Sequence, residues 1–428
     1  MGVKEVIAKE LEGVRRRSLG LLEPVPDSEL LKQHSPLMSP LVWDLAHVGN
    51  YEEIWLLRTI AGIPSRAPAL DDIYDAFRHA RHDRGRLKLL GPPQARSYIS
   101  DIRNKVLEVL DAIELDPSNP LLSDGYVYGM AIQHEHQHDE TILATLQLRG
   151  EYPLDATPPP KGSPLSSKEV LVEAGPFTMG TDTEPWAYDN ERPAHTVDLP
   201  SFFIDTAPVS NSEYSQFIEA GGYRDQRFWS PQGWAWREQE RLETPLFWTR
   251  QGTSSWSRTR FGKNEPLPAD EPVQHVCWHE AEAYAEWVGK RLPSEAEWEK
   301  AASWDAATST KRRYPWGDQD PSEELANLGE RHFEPAGIGA YPLGKSPYGC
   351  HQMIGDVWEW TSSDFNAHPG FVTFPYREYS EVFFGRDYKV LKGGSWATHP
   401  TAIRTTFRNW DYPIRRQIFC GFRCARDA

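Results

Sequence analysis

The stretch "AIQHEHQHDET", residues 131–141, places three histidines, His134, His136 and His138, within five positions. Around it, residues 125–149 carry apolar side chains at helical intervals and a glycine follows directly, so we predict a helix. On a helix, positions i and i+4 share one face, whereas position i+2 points away. We therefore expect His134 and His138 on the buried face and His136 toward solvent.

Two imidazoles on a buried face need partners, because burying their nitrogens unpaired is costly. A histidine pair at this spacing is a common way to present two nitrogens to one metal ion. The same spacing is also compatible with a hydrogen-bonded pair in the core. The pattern favours metal binding over the core pair, and a metal would need at least a third ligand from elsewhere in the chain.

His47, in "SPLMSPLVWDLAHVGNYEEIW", is the best third candidate among the 14 histidines. Ser39 is predicted to cap this helix, with Pro40 at its first position. A single histidine in an apolar helix is more often a core residue, and only the pair described above makes His47 a candidate ligand. Nearby, Asp44 and Glu52 could supply a carboxylate ligand or accept a hydrogen bond from an imidazole.

A second pair, His275 and His279 in "DEPVQHVCWHEAEAYAEW", has the same spacing. Residues 272–278 alternate as in a strand, and the next helix is predicted to begin only near His279. Positions i and i+4 do not share a face across a strand-to-helix junction. We therefore reject this second pair as a metal site.

The overall composition limits the kinds of partner. A chain of 428 residues is long enough for two or three domains, and its net charge of −16 argues against nucleic acids and anionic membranes. No apolar run reaches membrane-spanning length, and the charged amphipathic start is not a secretory signal. The four cysteines do not make a disulfide framework. We therefore expect a cytoplasmic protein with reduced thiols. A monomer is our expectation for its assembly, although nothing in the composition bears on it.

Two parts of different character follow one another along the chain. Residues 1–150 predict a four-helix bundle, a fold that can build a metal site from side chains on facing helices. Its helices are expected at 4–20, 40–61, 98–114 and 125–149. A Pro/Ser-rich linker is predicted at 151–169. Residues 170–428 predict an α+β domain of short strands and long ordered loops, with two short helices near 210–220 and 279–290.

The second part resembles the formylglycine-generating-enzyme superfamily over nearly all of residues 170–428. The motifs that carry the resemblance are "GPFTMGTD", "ERPAHTVDLPSFFIDTAPVSNSEYSQFI", "PVQHVCWHEAEAYAEWVGKRLPSEAEWEKAA", "RYPWGD", "ANLG", "GDVWEWTSS", "VLKGGSW" and "GFRCA". The resemblance implies a C-type-lectin-like α+β fold, but it is poor evidence for an activity, since one fold hosts many. Formylglycine generators use a cysteine pair downstream of "GGSW", and "GGSWATHPTAIRTTFRNWDYP" contains none. Cys424 belongs to a fold motif and Cys420 has no assigned role, so sulfatase activation is not expected.

The first part resembles the DinB-like metal-binding bundles, in which three histidines from different helices hold a divalent metal; His47, His134 and His138 match them. A DinB-like bundle fused to a formylglycine-generating-type domain resembles the sulfoxide synthases of the ergothioneine pathway (EgtB type). The motifs specific to that family are "SPLVWDLAH", "HEHQHDET", "YDAFRHAR" and "FRNWDYPIRRQ". The resemblance implies a non-haem iron(II) enzyme that uses O2. Such enzymes join a cysteine thiol to C2 of the imidazole of hercynine (Nα-trimethylhistidine) and leave a sulfoxide.

The resemblance also implies roles for individual residues. Tyr376, in "FPYREYSE", matches the donor of a proton or hydrogen bond to an oxygen intermediate; without the resemblance, two tyrosines three apart would be ordinary packing. The residues that resemble the hercynine pocket are Gln137, Tyr379, Asn409 and Trp410. The residues that resemble the thiol pocket are Arg81, Asp411 and Arg415. Arginines can clamp a carboxylate while an aspartate pairs with an ammonium, and these positions match family members that use γ-glutamylcysteine. We therefore expect γ-glutamylcysteine rather than free cysteine as the thiol.

Two other classes of function remain open. DinB-like bundles include divalent-metal-dependent thiol S-transferases, which use no redox chemistry and lack the second domain. The other class is a binding module with a structural metal, but a structural site is closed, whereas three histidines leave metal positions open. The identity of the metal separates these classes, because zinc has no redox chemistry.

Overall fold

A computed structural model describes residues 2–165, 167–252 and 255–428. These residues form two compact units. The first unit comprises the chain up to Pro153 together with residues 184–186 and 261–263, and the second comprises the rest. Throughout the described ranges, every helix is too short or too polar to cross a bilayer.

Helices build the first unit, as predicted. They are α1 (Val3–Leu22), α2 (Asp27–Leu30), α3 (Leu41–Glu52), α4 (Ala69–Ile73), α5 (Pro92–Ala112) and α6 (Tyr126–Arg149). The long helices α1, α3, α5 and α6 pack as a bundle, with α3 against α5 and α1 against α6. A π-helical segment, Glu53–Thr59, continues α3, and Gly150 ends α6 in the left-handed conformation.

Two helix starts differ from the predictions. The predicted cap at Ser39 is wrong, because Pro40 keeps an extended ψ of 139° and occupies the cap position itself. The Ser39 hydroxyl instead accepts a hydrogen bond from the Arg84 guanidinium at 2.8 Å. Helix α5 begins at Pro92, six residues earlier than expected, because a proline in the first helical turn loses no hydrogen bond.

Four charged side chains, one from each long helix, meet in the core of the bundle. Arg15 donates to Glu52 and Glu135 at 2.7 Å each, and Arg103 donates to the same two carboxylates at 2.5 and 2.9 Å. Burial alone would raise the pKa of Glu135, but the two arginines outweigh it and hold that pKa below its usual value. Glu52 therefore pairs with the two arginines of this cluster. Of the two carboxylates suggested by the sequence, it is Asp44 that accepts a hydrogen bond from an imidazole, that of His138.

Short strands and long loops make up most of the second unit, the predicted α+β arrangement. The strands are β1 (Glu169–Val172), β2 (Gly175–Met179), β3 (His195–Leu199), β4 (Phe202–Asp205), β5 (Trp248–Gln251), β6 (Ser255–Arg260), β7 (Lys263–Pro266), β8 (Trp304–Asp305), β9 (Thr310–Lys311), β10 (Trp358–Asp364), β11 (Lys389–Lys392), β12 (Asn409–Asp411), β13 (Cys420–Gly421) and β14 (Ala425–Asp427). One sheet has the order β12–β11–β10–β13, with only β10 and β13 parallel. Another has the antiparallel order β1–β4–β14.

The helices of the second unit are α7 (Asn211–Glu219), α8 (Pro231–Glu240), α9 (Trp278–Trp287) and α10 (Glu295–Ser303). Helices α7 and α9 confirm the two predictions. Helices α8 and α10 were not predicted, although Ser294 and Glu297 form a capping box at the start of α10 that the sequence displays.

The Pro/Ser-rich segment that we expected to be a linker belongs to the second unit from Leu154 onward. Ser163 N–H, for example, donates to the Ile338 carbonyl at 2.9 Å.

All four cysteines are free and buried. The Cys420 thiol donates to the Val276 carbonyl at 3.0 Å, which gives this residue a structural role.

Candidate metal centre and substrate-binding residues

Three histidines from α3 and α6 lie together in the first unit. The imidazole centroids of His47 and His134 are 5.1 Å apart, and each of these rings is 4.7 Å from that of His138. One nitrogen from each ring lies within 4.8 Å of the others, so a single ion can contact all three. The i, i+4 spacing on α6 brings two of the candidate ligands together, and the packing of α3 against α6 adds the third.

Hydrogen bonds fix the orientation of two of these rings. The Nδ1–H of His47 donates to the Tyr74 carbonyl at 2.7 Å, and the Nδ1–H of His138 donates to Asp44 at 3.0 Å. In each case the hydrogen bond on Nδ1 leaves the Nε2 lone pair for a metal, the usual arrangement of an outer acceptor around a ligating histidine. His134 is held differently, since its ring stacks on Tyr51 at 3.8 Å.

The electrostatics of the site favour neutral imidazoles. Burial lowers the pKa of His47 and of His134 well below the usual value, and the neighbouring His138 adds to both shifts. A neutral imidazole keeps the lone pair that a metal ion needs. The arrangement can therefore hold a divalent ion on three nitrogens at neutral pH and leave its remaining positions to other molecules.

The prediction that His136 points to solvent is wrong. The side chain is only 2% exposed, and its Nδ1 lies 3.0 Å from the Arg17 guanidinium and 3.6 Å from Asp139. Position i+2 does point away from the two ligands, but in this bundle the direction it takes leads to α1 rather than to water. His136 therefore belongs to the packing of α6 against α1.

A stack of aromatic and cationic groups behind His47 was missed in the sequence. The indole of Trp43 lies parallel to the His47 ring at 4.5 Å, and the Arg84 guanidinium lies 3.7 Å above the indole. Because Trp43 precedes His47 by four residues, helical spacing could have suggested the first contact. The contact with Arg84 depends on tertiary structure.

The predicted substrate residues fall in both units. In the first, Gln137 lies on α6 and Arg81 begins a 3-10 turn, Arg81–Arg86; both side chains are half-buried. In the second, Asn409, Trp410 and Asp411 are the successive residues of β12. The remaining residues, Tyr376, Tyr379 and Arg415, lie in loops of the second unit.

Within the second unit, the structure brings several of these side chains into contact. Tyr379 packs edge-on against Trp410 at 5.8 Å and lies 6.3 Å from Tyr376. Arg415 Nε lies 3.4 Å from an oxygen of Asp411, and both side chains are mostly buried. Tyr376, Tyr379 and Trp410 are thus neighbours, and Asp411, which follows Trp410 on β12, pairs with Arg415.

His275 and His279, the pair rejected as a metal site from the sequence, lie where a loop leads into α9. His275 has a positive φ of 64°, and α9 starts three residues later, so the two histidines share no helix face. The His279 ring is buried, which lowers its pKa to about 4. Neither histidine belongs to a group of metal-ligating side chains among the described residues.

Two family models match this chain. The DinB superfamily matches residues 10–142, and the sulfatase-modifying factor enzyme 1-like domain matches residues 155–428. The chain therefore combines a DinB-like helical unit with a sulfatase-modifying-factor-type domain.

Three relatives are similar to this chain over nearly its whole length. The chain is 52% identical to the hercynine oxygenase of Mycolicibacterium smegmatis, over 100% of both chains. It is 51% identical to that of Mycolicibacterium thermoresistibile, over 98% of this chain and 94% of the relative, and 51% identical to that of Mycobacterium tuberculosis, over 99% of each. The chain belongs to the hercynine oxygenase family and is an enzyme of the oxygenase class.

Proposed function

We propose that this enzyme is a non-haem iron(II)- and O2-dependent sulfoxide synthase that joins the thiol of γ-glutamylcysteine to C2 of hercynine in ergothioneine biosynthesis. The observation that carries the proposal is the cluster of His47, His134 and His138 in a chain of this family. Three neutral nitrogen donors would suit iron(II) and would leave further positions of the ion to substrates.

Iron bound at these histidines would supply the redox chemistry with O2 that zinc lacks. The chain's own contribution at this site is orientation: the Tyr74 carbonyl and the Asp44 carboxylate hold two imidazoles in the tautomer that presents Nε2. Three uncharged ligands would leave the positive charge of a bound ion uncompensated, which would favour the approach of an anionic thiol substrate.

The proposed hercynine-binding residues have chemistry that suits this substrate. Hercynine carries a quaternary trimethylammonium group, and such cations bind against the faces of aromatic rings. Trp410 and Tyr379 pack edge-to-face at 5.8 Å. Since Trp410 stacks on Phe365 at 4.1 Å and Tyr379 on Tyr188 at 4.0 Å, each ring would bind the cation on its opposite face. Asn409 and Gln137 add amide groups that can donate and accept hydrogen bonds.

The proposed thiol-binding residues suit a γ-glutamyl group. Its α-carboxylate needs a cationic fork and its α-ammonium needs an acid close by. Asp411 and Arg415 lie 3.4 Å apart and are mostly buried. Each side chain could therefore exchange its present partner for the group of opposite charge on the substrate. Arg81 is the further guanidinium proposed for the carboxylate, and Tyr376 is proposed as the donor of a proton or hydrogen bond during the reaction.

The test is O2 consumption by the metal-free protein after addition of iron(II), hercynine and γ-glutamylcysteine, with the product identified by mass. We expect O2 uptake and a sulfoxide that contains both substrates. The same protein loaded with Zn²⁺ is the control and should consume no O2. Transfer of the thiol to an electrophilic substrate with Zn²⁺ and without O2, together with no O2 uptake in the iron(II) assay, would instead identify a thiol S-transferase. Faster turnover with free cysteine would overturn the choice of thiol.

A further inference from the structure

The segment 374–380, in the second unit, carries both Tyr376 and Tyr379. Its exposed and half-buried residues end at Ser380, which is fully buried. The segment has no strand or long helix of its own to hold it. Its conformation must therefore depend on contacts with other parts of the unit.

A short turn, Tyr188–Asn190, makes those contacts. One carboxylate oxygen of Asp189 accepts the Phe374 N–H at 3.2 Å, and the other accepts the Ser380 hydroxyl at 2.5 Å. A single side chain thus holds the segment at both of its ends. The Asn190 amide adds a hydrogen bond to the Ser380 oxygen at 2.9 Å.

The same turn also contacts the middle of the segment. The ring of Tyr188 lies nearly parallel to that of Tyr379, with centroids 4.0 Å apart and an angle of 18° between the planes. Tyr379 also contacts Trp410 at 5.8 Å and Tyr376 at 6.3 Å. Fixing Tyr379 and both ends of the segment leaves the Tyr376 side chain little freedom to change its position.

The turn is itself anchored rigidly in the unit. The Tyr188 N–H donates to Glu191 at 2.9 Å, and Glu191 is paired in turn with the Arg404 guanidinium at 2.7 Å. The Asn190 carbonyl accepts from Arg408 at 2.8 Å. A turn fixed on one side by buried ion pairs can act as a rigid support on the other.

Burial of the Asp189 carboxylate is unfavourable in free energy, which indicates that its charge has a function at this position. The side chain is 2% exposed, and within the described residues no lysine or arginine pairs with it. Burial raises the pKa of Asp189 to about 6, against the opposing hydrogen bonds from Ser380 and Phe374. A neutral residue would fill the same space at lower cost, but it could not accept two hydrogen bonds on two separate oxygens.

We propose that Asp189 is a positioning residue that holds segment 374–380 in the conformation from which Tyr376 acts. The inference rests on the proposed function, since it assigns Asp189 an effect through Tyr376 and none of its own on the substrates. Asp189→Asn should reduce sulfoxide formation and increase the share of plain thiol oxidation. The asparagine amide would direct its own N–H at one of the two groups, the Phe374 N–H or the Ser380 hydroxyl, that now donate to the carboxylate. One of the two hydrogen bonds would then be lost.

The experiment is a double-mutant cycle of Asp189→Asn and Tyr376→Phe. A positioned acid contributes roughly 10²–10⁴-fold, so Tyr376→Phe should lower the rate of sulfoxide formation within that range. We expect Asp189→Asn to lower the rate by about tenfold or more, an appreciable part of that effect. The double variant should be no slower than Tyr376→Phe alone, and iron content should be unchanged in all three.

Each outcome of the cycle decides one question. A wild-type rate and product ratio in Tyr376→Phe would overturn the proposed role of Tyr376. Loss in Tyr376→Phe together with multiplicative effects in the double variant would overturn the positioning role of Asp189, as would a silent Asp189→Asn.

Should Asp189→Asn fail to fold, Ser380→Ala removes one of the two contacts and should shift the product ratio in the same direction. Thr373→Val is the matched control, because it removes a hydrogen bond to Glu381 on the exposed side of the same loop and should leave the ratio unchanged.

Discussion

Asp44→Ala should weaken metal binding without removing a ligand. Asp44 is 1% exposed, and it accepts the Nδ1–H of His138 at 3.0 Å. Its loss would leave the imidazole free to rotate and to carry its proton on Nε2, the nitrogen that the hydrogen bond on Nδ1 now keeps available for a metal. Outer acceptors of this kind typically contribute 10–100-fold in metal affinity. We therefore expect a loss of about 1.4–2.8 kcal/mol in binding free energy, since each tenfold change corresponds to about 1.4 kcal/mol.

The assay is anaerobic titration of the metal-free protein with iron(II) in competition with a chelator of known affinity. Asp44→Asn is the matched variant, because its amide oxygen can still accept the hydrogen bond, and it should lie between the wild type and Asp44→Ala. His138→Ala removes the ligand itself and should lose most binding. Thermal unfolding of the metal-free variants separates loss of affinity from loss of fold. Wild-type iron affinity in a folded Asp44→Ala would refute the reasoning.

His136→Ala should keep its iron content but lower the free energy of unfolding by about 1–3 kcal/mol, because it removes a buried hydrogen-bonding group; loss of iron in this variant would contradict the choice of ligands. Asp411→Ala should raise KM for γ-glutamylcysteine steeply and leave KM for hercynine nearly unchanged in steady-state kinetics, whereas equal changes in both would argue against the thiol pocket. Glu299→Gln should destabilise the protein by about 3–5 kcal/mol at pH 7, because it breaks a buried charge cluster. Burial alone would raise the pKa of Glu299, but Lys311 and Lys392 hold it well below its usual value. That stabilisation is present above the unfolded pKa of 4.5 and lost as the pH falls, so urea titrations should show the variant approaching the wild type in acid.

The sequence by itself determined the features that depend on local spacing. The i, i+4 pair on α6 had to share a helix face, and it does. The apolar periodicity placed α1 and α6 within two residues of their observed bounds and located α3 and α5 less exactly. His47 was predicted as the third ligand from its helix and its motif, and its ring lies beside the other two. The motifs of the second part indicated its fold because they are spread over nearly its whole length.

Only the tertiary structure decided which side chains meet across the fold. The direction of His136 depends on where α1 packs, and the partners of Glu52 come from α1 and α5, which no local spacing encodes. Asp189 and Ser380 are 191 positions apart, yet one hydrogen bond joins them. Periodicity along a chain fixes the face on which a residue lies, whereas its partner on that face depends on how distant elements pack.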